Sequence, residues 1–140
     1  TLLGLCNIPI PNSVEGVDYT KYLKGKEKNI GNETLITCVQ PFGQWNRVQH
    51  KAREYRGLVT QKYTYTRDLN GPWMLFDNEK DPYQLNNLID DSEHADIKND
   101  LDNRLLKKLK ETGDEFLPGM EYIKRWNYPV DETGTVPYTS

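Results

Sequence analysis

The stretch YRGLVTQKYTYTRDLNGPWMLFD, residues 55–77, decides the fold. Two runs dense in aromatic and β-branched residues, Tyr55–Thr60 and Lys62–Arg67, flank a tight turn near Gln61–Lys62 and read as the arms of a hairpin. Tyr63, Tyr65 and Arg67 fall on one face of the second arm, and Thr64 and Thr66 on the other. Asn70-Gly71 is the favoured dipeptide of a two-residue hairpin turn. Pro72 then leads into a third arm, Trp73–Asp77. The spacing predicts a three-stranded antiparallel meander, and ETLITCVQ (33–40) supplies a fourth strand upstream.

Downstream, LFDNEKDPYQLNNL (75–88) reads as a fastening. Asp77 can accept hydrogen bonds from the backbone of the turn that follows it, Asp81-Pro82 turns the chain again, and Asn86 and Asn87 satisfy a third bend. Leu88 returns to the core. The next segment, SEHADIKNDLDNRLLKKLKETG (92–113), places Ile97, Leu101, Leu105, Leu106 and Leu109 at helical spacing, an apolar stripe suited to one face of the sheet. Asp91 or Ser92 can cap this helix, its acids precede its lysines as the helix dipole favours, and Gly113 is a good stop. The acidic runs Asp90-Asp91 and Asp100-x-Asp102 read as a solvated face, and His94 as an exposed residue of the first turn.

Upstream, TLLGLCN (1–7) reads as the end of a helix that Pro9 and Pro11 terminate. A short helical turn at DYTKYL follows, with Asp18 as its cap. An apolar segment at the first residue reads as the interior of a longer polypeptide. PFGQWNRVQHKA (41–52) has no clean period and reads as a long loop carrying Trp45, Arg47, His50 and Lys51. Residues 114–140 are rich in Pro, Gly and aromatics and read as an irregular wrapping tail.

Bulk properties narrow the function. The 140 residues make one domain, polar overall, with 36% hydrophobic residues and a mean hydropathy of −0.83. Nine tyrosines and three tryptophans supply much of the apolar area, as in a thin core that leans on something larger. A net charge of −3 offers no basic excess for phosphates and argues against nucleic acid as a partner. The apolar runs fall far short of a membrane span. Cys6 and Cys38 lack any paired metal-ligand spacing and read as free thiols, with a disulfide left open.

Three blocks resemble the sulfatase family. LFDNEKDPYQLNNL closely resembles the pattern LYD-x-x-x-DP-x-E-x-x-NL near the carboxyl end of sulfatases. TLLGLCNIPIPNSVEGVDYTKYLKG (1–25) resembles PTLL-x-LAG-I-x-x-P-x-x-x-x-G-x-D-L-x-x-x-L-x-G. YRGLVTQKYTY (55–65) resembles the hairpin R-A-V-R-T-x-x-Y-K-Y. Their order and spacing match over residues 1 to about 112. Val59 stands where the pattern has Arg, and Gln84 where it has Glu, which leaves the subfamily open.

The resemblance implies an α+β fold: a small antiparallel sheet of about four strands with one long helix packed on one face, the C-terminal subdomain of an alkaline-phosphatase-like enzyme. Residues 1–25 would be the last segment of the upstream sulfatase catalytic domain, 26–113 the sheet-plus-helix subdomain, and 114–140 the tail. Sulfatases cleave sulfate esters or sulfamates with a formylglycine made from the Cys of C-x-[PA]-S-R, beside a divalent metal, usually calcium. Such groups supply an activated oxygen and neutralise charge on the transferring group. Here Cys6 precedes Asn-Ile-Pro and Cys38 precedes Val-Gln-Pro, so neither fits the motif. The expectation is a chain with no catalytic residue, metal ligand or cofactor, calcium and formylglycine residing in the full-length parent. A sulfated carbohydrate is the implied substrate, and export (periplasmic, secreted or lysosomal) the implied location. Loops of this subdomain can line the substrate pocket's rim. The candidate is QWNRVQHKAREYR (44–56), where Trp45 offers a stacking ring and Arg47, His50, Arg53 and Arg56 offer donors to hydroxyls or a second anionic group. His50 is the foremost of these. Two rival readings stay open: a free-standing glycan-binding module, and the C-terminal part of a phosphodiesterase or phosphonate hydrolase of the same superfamily.

Overall fold

The computed structural model describes residues 1–14, 16–28, 31, 33–41 and 51–131. The chain divides into two compact units, Thr1–Asn32 and Glu33–Ser140. The first holds two short helices, α1 (Leu2–Leu5) and α2 (Thr20–Leu23). Asp18 Oδ1 accepts from the Thr20 amide at 2.9 Å, and the Thr20 hydroxyl donates to the Thr1 carbonyl at 3.1 Å. The N-cap position itself is Tyr19, one residue after Asp18. Gly4 is needed for this contact, because a Cβ there would lie 2.6 Å from Asp18 Oδ2 and closer still to the Thr20 hydroxyl.

The second unit is built on four strands, β1 (Glu33–Cys38), β2 (Tyr55–Thr60), β3 (Tyr63–Asp68) and β4 (Gly71–Asp77). They form one antiparallel sheet in sequence order. Register explains the core. Leu35, Leu58, Tyr65 and Leu75 pair across the strands in a single row and therefore share one face. On that face lies α3 (Ala95–Thr112), which presents Leu101, Leu105 and Leu109 to the same cluster. Each such side chain taken out of water contributes about 1.5–3 kcal/mol. Leu106, expected in the stripe, points outward and is exposed. The stripe is three leucines wide because the helix meets a twisted sheet along one line, with Ile97 at its margin.

The rim of this contact is polar. Asp102 accepts from the Tyr65 hydroxyl at 2.6 Å and from Arg67 at 2.8 Å, so it faces the sheet and not solvent. Burial, then the bond to Asp102, pushes the Tyr65 phenol upward. Arg104 pairs with Glu33 of β1 and with Asp100 at 2.9 Å.

The fastening of 75–88 works as read, with one addition. Asp77 Oδ1 accepts from the Glu79 and Lys80 amides at 3.0 Å each, and Asp81 Oδ2 accepts from the Asn86 amide at 2.7 Å. Asn87 meanwhile acts as a surrogate strand: its Oδ1 accepts from the Leu75 amide at 2.9 Å and its Nδ2 donates to the Trp73 carbonyl at 3.2 Å. The Leu88 amide completes the pairing on the Leu75 carbonyl at 2.8 Å. The outer edge of β4 is thereby covered, which removes a row of open backbone groups. Asp91 then caps the 3₁₀ turn Ser92–His94 and holds His94 Nδ1 at 2.9 Å, so His94 is half-buried in an ion pair.

The tail is more regular than its composition suggests. A two-turn helix, α4, spans Gly119–Trp126. Pro118 occupies the position before it and Asn127 ends it at φ 53°, the left-handed stop that Asn tolerates. Tyr122 is buried, and Trp126 stacks on it with centroids 5.3 Å apart.

Candidate functional site

Between β1 and β2 runs the loop that sequence marks as the candidate rim. Trp45, Arg47 and His50 lie outside the described residues. Both ends of the loop are described, and the chain builds them with unusual care.

Arg56 is the central fastener. Only 1% of its side chain is exposed. Its Nε and Nη2 both donate to Asp114, the latter at 3.2 Å. Nη1 donates to the Cys38 carbonyl at 3.2 Å and to the Tyr55 carbonyl at 3.0 Å, tying the last residue of β1 to the first of β2. The Phe116 ring lies 4.6 Å beneath the guanidinium, a cation–π contact. Arg56 was expected to offer its donors to a substrate; here they are spent inside the chain, because the partner carboxylate arrives from the tail. Asp114 is a hub: it also accepts from the Phe116 amide at 2.8 Å and the Tyr122 hydroxyl at 3.1 Å. Burial pushes its carboxyl up, but the bonds from Arg56 and Phe116 outweigh burial and hold it below the ordinary range.

The tail grips the same neck a second time. Glu54, 2% exposed, accepts from the Gly119 amide at 3.2 Å. Gly119 in turn presses on the loop's upstream end: a Cβ there would lie 2.5 Å from the Val39 carbonyl oxygen and closer still to the Gln40 amide. Gln40 Nε2 reaches Met120 Sδ at 3.9 Å.

Arg53 takes a different place. Its Nη1 donates to Asp68 Oδ2 at 2.7 Å, and its guanidinium lies 5.1 Å over the Trp73 ring. Asp68 is itself fixed by the amides of Asn70 and Gly71 at 2.7 and 3.2 Å. Burial raises the Asp68 carboxyl, and the Asn70 amide with Arg53 more than reverses this. A cavity of about 330 Å³ opens here, lined in part by Lys51, Arg53, Asp68 and Asn70. Sequence signals this cluster only weakly, since Asp68 and Asn70 read as turn residues.

Among the described residues, no group of three or more His, Cys, Asp and Glu side chains is placed to hold a metal ion. Cys6 and Cys38 are both free. With neither cysteine in C-x-[PA]-S-R, the residues present do not fit a formylglycine–calcium centre. No helix among the described residues is long and apolar enough to cross a membrane.

Comparison with known proteins agrees with this architecture. Residues 1–111 match the family model described as N-sulphoglucosamine sulphohydrolase, C-terminal. The chain is 42% identical over 139 residues to an ulvan-active sulfatase of Formosa agariphila, covering 99% of this chain and 26% of that protein. It is 30% identical over 131 residues to an arylsulfatase of Clostridium perfringens, covering 93% of this chain and 25% of that one. A solved 2-O GAG sulfatase superposes with a TM-score of 0.69 at 21% identity, over 83% of this chain and 24% of that structure, and shares the fold. The chain thus spans about a quarter of the length of the relatives it matches. It belongs to the N-sulphoglucosamine sulphohydrolase C-terminal family: a four-stranded antiparallel sheet with one long helix, the sulfatase C-terminal subdomain.

Proposed function

We propose that this chain is the noncatalytic C-terminal subdomain of a sulfatase that hydrolyses sulfate esters on a carbohydrate. On this reading the 42–50 loop forms part of the substrate pocket's rim through Trp45, Arg47 and His50. The observation that carries the reading is the family match over residues 1–111. The names of the relatives, an ulvan-active and a GAG sulfatase, favour a sulfated glycan. Residues 1–25 would be the last segment of the upstream catalytic domain, which would supply the formylglycine and calcium. Leu2 at 80% exposure and Leu23 at 62% support that assignment, since apolar side chains so placed are ones a further domain would cover. Export of the parent follows if its substrate is an extracellular glycan.

The rim role is supported by the neck of the loop. Arg56, Glu54 and Gly119 hold its two ends together, and a binding loop on rigid supports orders less on binding. The test is twofold. The coding sequence upstream of Thr1 should carry C-x-[PA]-S-R; a Thr or Ser nucleophile in another setting would point instead to phosphodiester or phosphonate hydrolysis. In the intact enzyme, His50→Ala and Arg47→Ala should each lower kcat/KM on the sulfated sugar about tenfold. Unchanged values would remove the loop from the rim.

A further inference from the structure

The cavity beside Arg53 has the chemistry of a ligand site. Arg53 is pre-oriented: Asp68 takes one N–H at 2.7 Å and Trp73 fixes the plane of the guanidinium. Asp68 is 5% exposed whereas Arg53 is 51% exposed, so the carboxylate is buried behind the cation and the cation faces the cavity. The other N–H groups of Arg53 meet no acceptor among the described residues. Lys51 is exposed beside it and pairs with no acid among the described residues. Its φ of 52° is a left-handed conformation that costs a lysine about 1 kcal/mol, and such strain gathers where side chains are aimed for use. Asn70, also exposed, adds an amide to the same wall. A planar fork, a compact ammonium and an amide around about 330 Å³ suit a planar or tetrahedral oxyanion. The space also admits more than the anion alone.

We infer that Lys51, Arg53 and Asn70 form an anionic subsite for a sulfate or carboxylate on a sugar next to the one being desulfated. This rests on the sulfatase reading above, and it places specificity at the downstream end of the loop. The shared chemistry is an oxyanion on a neighbouring residue. The bond being broken is not touched, so the effect falls on binding of larger substrates.

The experiment compares the intact enzyme with its Lys51→Gln and Arg53→Gln variants on two substrates. One is a small aryl sulfate, which has no neighbouring sugar. The other is a sulfated oligosaccharide carrying a neighbouring anion. The expected result is a KM raised about tenfold on the oligosaccharide, with kcat and the aryl sulfate kinetics unchanged. Oligosaccharides with the neighbouring carboxylate reduced, or the neighbouring sulfate removed, identify the anion. Whichever change abolishes the difference between wild type and variant names it. Equal KM values for wild type and Lys51→Gln on the oligosaccharide overturn the inference; Lys51 is a surface residue, so its replacement leaves the fold intact. His50→Ala and Arg47→Ala separate the two readings. If they raise KM and Lys51→Gln does not, the rim stands and the subsite falls. If only Lys51→Gln and Arg53→Gln matter, the subsite stands without that rim.

Discussion

At the scale of single residues, the Arg56–Asp114 pair shows how a functional-looking donor becomes a fastener. A guanidinium 1% exposed is tolerable only with a carboxylate and carbonyls to receive it. Asp114→Ala should therefore cost about 3 kcal/mol, read as a lower midpoint in chemical denaturation, because it strands a buried cation. The pH dependence has a definite sign. The folded pKa of Asp114 lies below its ordinary value, so its stabilisation is complete above about pH 4 and is lost as pH falls through the lowered value. The Asp114→Ala protein should show a flatter acid limb than wild type; an unchanged limb would mean that other carboxylates dominate acid unfolding. Much of this scale was legible beforehand. The Asp77 turn follows from Asp ahead of a polar run, because its partners are two and three residues away. The Arg56 partner lies 58 positions downstream, and no local pattern encodes a contact at that distance. Asp102 misled for the same reason: its spacing suits a solvated helix face, yet Tyr65 and Arg67 lie across from it.

At the scale of elements, the meander was readable because each strand carries its own signal: β-branched runs, Asn70-Gly71, and the leucines of α3 at helical spacing. Helix α4 was not. Eight residues beginning after Pro118, with no side-chain cap, give little periodicity, and the helix owes its place to Tyr122 and to the wedge at Gly119. That wedge makes a prediction. Gly119→Ala forces a methyl into the Val39 carbonyl and the Gln40 amide, so it should loosen the neck of the loop at a cost of about 1–3 kcal/mol. Limited proteolysis within 42–52 should accelerate, while cleavage elsewhere stays at the wild-type rate. Equal cleavage rates would show that the tail does not hold the loop. The loop's own side chains were legible only as a set of donors without a period. Its architecture is set by residues on both sides of it, Arg56 and Glu54 near one end and Gly119 in the tail.

At the scale of the whole molecule, each unit carries marks of belonging to something larger. The first keeps Leu2 and Leu23 open to solvent. The second supports Tyr83 and Leu85, at 83% and 85% exposure, on a turn that Asp77 and Asp81 hold rigid. The family was legible in three blocks because their residues make turns and strand pairs that tolerate few alternatives. The substrate was not, because the residues that would choose it sit on an aperiodic loop and in a polar cavity. The central claim is that this chain supports, and does not perform, sulfate ester hydrolysis. The most direct measurement is release of inorganic sulfate from a sulfated oligosaccharide by the intact protein and by the 140-residue chain alone. The account predicts sulfate from the first and none from the second. Sulfate from the isolated chain, or none from the intact protein alongside cleavage of a phosphodiester, would contradict it.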